Sequence, residues 1–438
     1  MARGYEEDSS QFRVDSPTCT RESLRLVISI AAMKSWNLES IDFTAAFLQG
    51  GPIQRNVFLR LPSDVCPKST VWKLKRTIYG LNDAPRSWYE KIRGGLISLG
   101  GTISYYDQAL FLWHDYEGQL VGIIACHVDD FALCGNTWFQ KQVLQKIMKN
   151  FKVGDHQSGT FKHLGLMMNQ NRNSVKVSQH KYCQEIEPIE IKKHRSCLRD
   201  SELTREEKYD LRSLGGQLLW ASTQTRPDLS FLACQLANVG RNPTVKQLHE
   251  ANKAVRKMKN DKVEIKYPKL NGSPHNLKVI CFSDASYAAL DGGASQGGHI
   301  VFLSDGNENV APILWSSKKL DRITKSPIAS ETLALCEGAD SAYLVASMIQ
   351  EIFILPQLPK IICYIDNASL FETLKTSRST SDRRLRVDIA RLRDMTEKEE
   401  IEVRWVPGCN QIADPLTKNG ASSELLLDIL KSGKLKAM

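Results

Sequence analysis

Seven carboxylates in two groups are the residues of this sequence best placed to do chemistry. In the first group, Asp129 and Asp130 lie between the apolar runs Val121 to Cys126 and Phe131 to Cys134, and Asp42 closes an earlier apolar run. Neighbouring side chains on a flat strand point to opposite faces, so two adjacent acids serve one site only where the chain turns, as at a hairpin tip. A carboxylate taken out of water is costly unless it is neutralised, and a divalent cation would offset that cost. An isolated Asp-Asp is more often an exposed turn, so its surroundings must decide. The second group is Asp284, Glu331, Asp366 and Asp414, each expected at a strand end or on a helix facing one. Four such acids suffice to bind two Mg²⁺ ions close together and activate a water.

The elements that must position these groups are legible in part. Thr20 and Glu22 open a helical pattern through Leu24, Val27, Ile28 and Ala31, and the next run reads as a buried strand ending at Asp42. Asp83 and Pro85 start a second helix with Trp88, Ile92, Leu96 and Leu99 on one face, stopped at Gly100-Gly101. From about Phe151 to Pro274 the pattern reads as mostly helical and polar, with a turn at Arg226-Pro227-Asp228 and then a basic helix. That helix has an apolar stripe of Val245, Leu248, Ala251, Val255 and Met258, while Lys246, Lys253, Arg256, Lys257 and Lys259 crowd the remainder. Its charge fits a solvated face and a phosphate-contacting face about equally. From Leu277 come a strand into Asp284, a glycine-rich turn (Gly292, Gly293, Gly297, Gly298), strands at His299 to Leu303 and Pro312 to Trp315, and a long helix carrying Glu331. A strand from Ile361 to Ile365 ends at Asp366, a basic helix spans roughly Asp382 to Met395, Ile401 to Val406 is a strand, and a terminal helix carries Asp414. That order suggests one mixed α/β domain on a central sheet.

The whole chain sets bounds. At 438 residues and 42% hydrophobic it is too long for one core, so two or three domains are expected. A formal charge of +9 favours a polyanionic partner, although weakly by itself. The eleven cysteines include no CxxC spacing, which argues for reduced thiols and against a disulfide framework or a zinc site. The first residues hold no apolar leader, and the longest apolar stretch, near Leu120 to Val128, is too short to span a bilayer, so an intracellular, unsecreted protein is expected.

Three blocks around the first acids carry a resemblance. Asp42-Phe43-Thr44-Ala45-Ala46-Phe47-Leu48-Gln49-Gly50, Tyr79-Gly80-Leu81-Asn82-Asp83-Ala84-Pro85-Arg86-Ser87-Trp88-Tyr89 and Val128-Asp129-Asp130, in this order, closely resemble the reverse transcriptase of copia-type long-terminal-repeat retrotransposons. Val57 to Pro62, Trp72 to Lys75, Leu164-Gly165-Leu166 and Thr225 to Asp228 extend the likeness over nearly the whole chain. It implies that Asp42, Asp129 and Asp130 hold two Mg²⁺ ions, with Mn²⁺ as the alternative ion, while a primer 3′-hydroxyl attacks a deoxynucleotide. Phe47 would exclude the ribose 2′-hydroxyl; the bland alternative is a core phenylalanine. Gly80 and Arg86 match the block that binds nucleotide and template. His127 replaces the family's usual tyrosine before Val-Asp-Asp, which implies altered primer contacts. The opening Ala2-Arg3-Gly4-Tyr5 resembles the tail of the family's basic fingers strand, so the preceding cations would be missing from a 5′-truncated Pol fragment.

The second group's contexts, Phe282 to Ser286, Ala329 to Thr332, Tyr364 to Asn367 and Asn410 to Lys418, resemble the RNase H domain of the same elements. This implies cleavage of RNA in an RNA:DNA hybrid by Asp284, Glu331, Asp366 and Asp414. Arg383, Arg384, Arg386, Arg391 and Arg393 of the segment from Ser381 to Met395 would supply phosphate contacts, as would Lys253 and Lys257. The histidine that many cellular relatives carry before the last acid is missing from Pro407 to Asn410. The expected fold is multidomain α+β and α/β: incomplete fingers and a palm with an antiparallel sheet over 1–190, a thumb or connection region over 191–275, and an RNase H-like mixed-sheet domain over 276–438. Expected partners are RNA template, DNA primer, RNA:DNA hybrid, dNTPs and the integrase and protease of a Pol polyprotein, with no membrane, in cytoplasmic virus-like particles or the nucleus. Two rivals remain open: a nuclease with an inactive polymerase scaffold, and a non-catalytic nucleic-acid-binding relic.

Overall fold

The computed structural model describes residues 2–8, 10, 12–60, 70–238, 242–376 and 382–436. Leu61 and Pro62 of the Val57 to Pro62 block, Cys66, and Ser381 at the head of the basic segment lie outside them. The chain divides into two compact units, Met1–Leu164 with Ile352–Ile354, and Gly165–Glu351 with Leu355–Met438.

In the first unit, α1 (Arg21–Lys34) begins where the Thr20 hydroxyl accepts from the Ser23 backbone N–H, as an N-cap residue does. β1 is Glu39–Phe43, α2 is Ala84–Ser98, and β2 to β6 are Thr102–Ile103, Leu110–His114, Leu120–His127, Asp130–Gly135 and Val153–Ser158. They form one sheet in the order β2-β3-β4-β5-β1-β6, antiparallel at every pairing. Strand alternation sends Ile41, Phe43, Phe131 and Leu133 into one core with Trp88, Ile92 and Leu96 of α2. The Phe43 ring lies 5.2 Å from Trp88 and 4.8 Å from Phe131, centroid to centroid. Asp42 and Asp130, which alternate with these residues, therefore leave the core face.

The second unit contains two structural themes. β7 (Leu166–Asn171), β8 (Ser174–Ser178) and β9 (Glu264–Pro268) pair antiparallel in sequence. α3 (Arg205–Gln224) and α4 (Val245–Asn260) share a core in which Val245, Leu248, Ala251, Val255 and Met258 of the predicted stripe are all buried. Arg226, 1% exposed, donates to both carboxylate oxygens of Asp228 at 2.9 and 2.8 Å and to the backbone carbonyls of Met258 and Asp261, which ties down the C-terminal end of α4. Burial pushes the Asp228 carboxyl up, but Arg226 and then Lys257 hold it below the usual range.

β10 to β14 are Lys278–Ser286, Gln296–Ser304, Val310–Lys319, Lys360–Ile365 and Glu402–Trp405, and α5 to α7 are Pro327–Phe353, Arg383–Glu397 and Glu424–Ser432. The five strands form a mixed sheet in the order β12-β11-β10-β13-β14, with the first three antiparallel and the last pairings parallel. The fold class is the expected one: an antiparallel sheet with helices, then a mixed-sheet α/β arrangement.

Three local expectations are overturned. The stretch 151–274 is not mostly helical, since Val153–Ser158, Thr160–His163, Leu166–Asn171, Ser174–Ser178 and Glu264–Pro268 are strands. Each is short and offers only one to three apolar residues, such as Val175 and Val177, so its period-two signal is weak. Gly297 and Gly298 lie within β11 rather than in a turn. Asp414 stands on a 3-10 turn, Asp414–Leu416, in which Pro415 follows it directly, and the terminal helix begins only at Glu424.

Candidate active sites

At the first site, Asp42 and Asp130 are direct partners across the antiparallel β1-β5 pair, so their side chains share a face. The β4-β5 hairpin closes with His127 opposite Asp130, leaving Val128-Asp129 as the two-residue turn. Val128 has φ 57°, a left-handed conformation that a β-branched residue adopts only under constraint. The Trp88 indole N–H donates to the Val128 carbonyl at 2.7 Å, and the Phe43 N–H donates to the Asp129 carbonyl at 3.1 Å. Hydrogen bonds to the backbone carbonyls of the turn thus fix where Asp129 and Asp130 stand.

All three acids are half-buried. Burial, then Asp129 and Asp155, pushes the Asp42 carboxyl up. Burial, then Asp129 and Asp42, raises Asp130, with His127 opposing. Gly154 of β6 passes so close that an added Cβ would lie 2.8 Å from Asp42 Oδ2, so any side chain there would displace the carboxylate. The Phe47 ring lies 4.7 Å from that of Tyr79, centroid to centroid and tilted by 44°, at the border of the core. Gly80, with φ 98°, accepts the Gly4 N–H, and Arg86 pairs with Asp15 and Glu90. Both candidate binding residues are therefore engaged within the chain.

The second site is assembled from four separated segments of the second unit. Asp284 lies near the end of β10, entirely buried, and Asp366 follows β13, which runs parallel beside it in a register pairing Phe282 with Tyr364. Equal offsets from that pair put the two acids at the same end of the sheet. Glu331 comes from the second turn of α5, and Asp414 from the turn after β14. Oxygens of Asp284, Glu331 and Asp366 lie within 4.8 Å of one another, and among the described residues this is the group that could enclose a metal ion.

Glu331 accepts from the Ala285 backbone, yet its Oε2 is buried without a hydrogen-bond partner. Burial first, then Asp284 and Asp366, pushes its carboxyl up to about 9. Burial also raises Asp366 and Asp414. An orphaned carboxylate oxygen facing two other acids is a donor set suited to a hard cation, because oxygen ligands and negative charge are what Mg²⁺ requires.

Sequence reasoning gave no role to Thr417 and Lys418. The Thr417 hydroxyl donates to Asp284 Oδ2, and the Lys418 ammonium lies 3.1 Å from Asp284 Oδ1 and 2.7 Å from Asp414 Oδ1. Gly298 makes this approach feasible. It pairs with Asp284 across β10-β11, and a Cβ there would sit 2.7 Å from Leu416 Cβ and 2.8 Å from Thr417 Cγ2. The one available sequence signal was the i,i+4 spacing of Asp414 and Lys418.

The candidate nucleic-acid contacts divide. Lys253, Arg384 and Arg386 are exposed. Lys257 instead donates to Ser423 at 3.0 Å and lies 3.5 Å from Asp228, Arg391 pairs with Asp340, and Arg393 donates to the Thr373 carbonyl.

Comparison with known proteins bears on the whole chain. Residues 1–198 match the family model for reverse transcriptase (RNA-dependent DNA polymerase). Over 95% of its length the chain is 25% identical to the retrovirus-related Pol polyprotein from transposon RE1 of Arabidopsis thaliana, and 25% identical to that from transposon TNT 1-94 of Nicotiana tabacum. It spans 29% and 32% of those polyproteins. Among solved structures, a foamy viral protease-reverse transcriptase in complex with RNA/DNA hybrid matches 94% of this chain and 48% of that one, with a TM-score of 0.50 and 12% identity. The same enzyme's dRH form with double-stranded DNA matches 88% of this chain and 59% of that one, with a TM-score of 0.51 and 12% identity. Such identities speak to the fold alone. No described helix is long and apolar enough to cross a membrane. Residues 1–198 are thus similar to reverse transcriptases, and nearly the whole chain is similar to part of these retrovirus-related Pol polyproteins from transposons.

Proposed function

We propose that the chain is an RNA-directed DNA polymerase with ribonuclease H activity, whose reactions take place at two separate carboxylate sites. The division proposed is fingers and palm over 1–190, thumb or connection over 191–275, and RNase H over 276–438. At the first site Asp42, Asp129 and Asp130 would hold Mg²⁺, Phe47 would lie under the incoming sugar, and His127, beside the acids, would contact the primer end. At the second, Asp284, Glu331, Asp366 and Asp414 would hold Mg²⁺ against the RNA strand. The bound ions would lower the pKa of the attacking oxygen and stabilise charge on the leaving one. The protein's own part is placement: the Val128-Asp129 turn sets the first acids, and the β10-β13 register sets the second. Exposed Lys253, Arg384 and Arg386 would contact phosphates, and the hybrid would be recognised by its 2′-hydroxyls. dNTPs, RNA template, DNA primer and the integrase and protease of a Pol polyprotein are the proposed partners, in virus-like particles or the nucleus.

The observation carrying this reading is the buried, partnerless Glu331 Oε2 among Asp284 and Asp366. An ionised carboxylate buried there beside two other acids is costly unless a cation neutralises it. The test is incubation of the full chain with a labelled RNA:DNA hybrid and with a primed RNA template plus dNTPs, in Mg²⁺ and in EDTA. Hybrid cleavage and primer extension that both require Mg²⁺ support the reading. Cleavage without extension would favour the nuclease with a polymerase scaffold, and neither activity would favour the non-catalytic relic.

A further inference from the structure

The four-acid site already contains a positive charge of its own. Lys418 Nζ touches Asp284 Oδ1 and Asp414 Oδ1, and Thr417 from the same turn donates to the other oxygen of Asp284. Both oxygens of the fully buried Asp284 are thus engaged from one side, while on the other side Glu331 Oε2 has no partner. The site is lopsided. Between Asp284, Glu331 and Asp366 the Glu331 Oε2 is left without a donor, whereas the edge between Asp284 and Asp414 is spanned by an ammonium.

A divalent ion and an ammonium cannot share that edge. Mg²⁺ binds carboxylate oxygen at about 2.0–2.1 Å, and an ion on that edge would need Asp284 Oδ1 and Asp414 Oδ1, the oxygens to which the Lys418 ammonium donates. Repulsion between the two cations at such range adds to the conflict. The Lys418 side chain is nevertheless 39% exposed, on a flexible four-carbon stem, so its head can withdraw into solvent without breaking packing. That combination suits a displaceable occupant better than a fixed strut.

We propose that Lys418 is a tethered competitor for one of the two metal ions: an ion enters the Asp284–Glu331–Asp366 gap with Lys418 in place, and a second enters the Asp284–Asp414 edge only as the ammonium leaves. The inference rests on the metal-site reading above and adds an order of filling to it. Lys418 is a positioning residue under this scheme, acting through the ions and not on substrate. It would keep the substrate-free site from binding two ions tightly.

The test is Mn²⁺ binding to the full chain, followed by electron paramagnetic resonance and calorimetry, in the unmutated protein, Lys418→Gln and Lys418→Arg. The first acid site is the same in all three, so differences report on the second. Lys418→Gln should tighten the weaker ion about tenfold or more, because charge-assisted hydrogen bonds to the ammonium no longer have to be broken. It should also enlarge the rise in melting temperature that Mn²⁺ produces. Lys418→Arg, which keeps the charge, should bind the weaker ion as the unmutated protein does. Unchanged weak-ion affinity in Lys418→Gln would overturn the proposal, and Lys418→Met gives the same reading should the glutamine variant not fold. Glu331→Gln separates the two levels of argument. Loss of the tight ion there, together with no effect of Lys418→Gln, sinks the competitor alone; no ion lost in Glu331→Gln sinks the metal site and the competitor with it.

Discussion

The two acid sites solve the same electrostatic problem in different ways. Asp42, Asp129 and Asp130 come from two adjacent strands and the turn beside them, stay half-exposed, and leave their mutual repulsion largely to water. Asp284, Glu331, Asp366 and Asp414 come from segments as much as 130 residues apart in sequence, and Asp284 and Glu331 are buried. There the repulsion is offset by the ammonium of Lys418 and by the hydrogen bonds that Thr417, Ala285 and Gln411 donate to the acids. The contrast teaches that the first site is held by backbone geometry and is cheap to keep without metal, whereas the second is held by packing and is costly to keep without it.

The largest effects should separate the sites completely. Asp366→Asn is expected to lower hybrid cleavage by about 10²–10³-fold or more while leaving primer extension intact, since it removes a ligand's charge with little change in shape. Asp129→Asn should do the converse. Gel assays of both activities on both variants check this, and a substitution that depresses both activities equally would show that the sites are not independent.

Next in size is a pH effect confined to the buried site. Burial and the neighbouring acids move the Glu331 carboxyl from its ordinary 4.5 to about 9 in the folded chain. For an acid raised in this way the unfolded chain holds fewer protons between those values, so the contribution of Glu331 to metal-free stability is largest below pH 4.5 and falls as pH rises toward 9. The slope for one proton is at most about 1.4 kcal/mol per pH unit. Melting curves in EDTA and in Mg²⁺ should therefore diverge as pH rises across that window, and Glu331→Gln should remove most of the divergence. A gap that stays constant with pH would mean that Glu331 is ionised without metal.

How much of this was readable beforehand follows the same division. The first site was legible because local sequence makes it: apolar runs flank Asp129-Asp130, and Thr20 and Asp83 mark the helix starts observed at Arg21 and Ala84. At the second site Asp284 and Asp366 were legible as strand ends and Glu331 as a residue of the long helix, whereas Asp414 was expected on a terminal helix and stands on a 3-10 turn. Lys418 was not legible, because its partner Asp284 lies 134 residues away, and no periodicity reports a contact made through a 3-10 turn. The strands between Val153 and Ser178 escaped for another reason. Strands of four to six residues with polar faces fall below the length at which a period of 2 is distinguishable from 3.6.

A smaller effect tests whether Phe47 belongs to the first site's chemistry or to its core. The ring is packed on Tyr79 and borders the core cluster, so truncation costs some stability on either view. Only the chemical view predicts that Phe47→Ala relaxes discrimination against ribonucleotides, by about ten- to a hundredfold in the ratio of kcat/KM values. Competition between dNTPs and rNTPs in primer extension reads that ratio directly, and an unchanged ratio would return Phe47 to the core.

The smallest expected effect bears most directly on the claim that backbone geometry holds the first site. Trp88→Phe keeps an aromatic ring against Phe43 and Phe151 but deletes the N–H that the Val128 carbonyl accepts. One such hydrogen bond contributes about 1 kcal/mol, and its loss falls on a turn whose Val128 already holds a left-handed φ. The turn should sample conformations that carry Asp129 and Asp130 away from Asp42, so primer extension should drop about fivefold with hybrid cleavage unchanged. Val128→Gly makes the complementary change, relieving the left-handed strain while freeing the unfolded chain, and those two contributions are of similar size and opposite sign. In the double variant, glycine should therefore recover little extension if the indole bond fixes the turn, and most of it if valine strain drives the turn open. Equal losses of extension and cleavage in Trp88→Phe would instead mark a general destabilisation, and the contrast between a site held by backbone and a site held by packing would no longer stand.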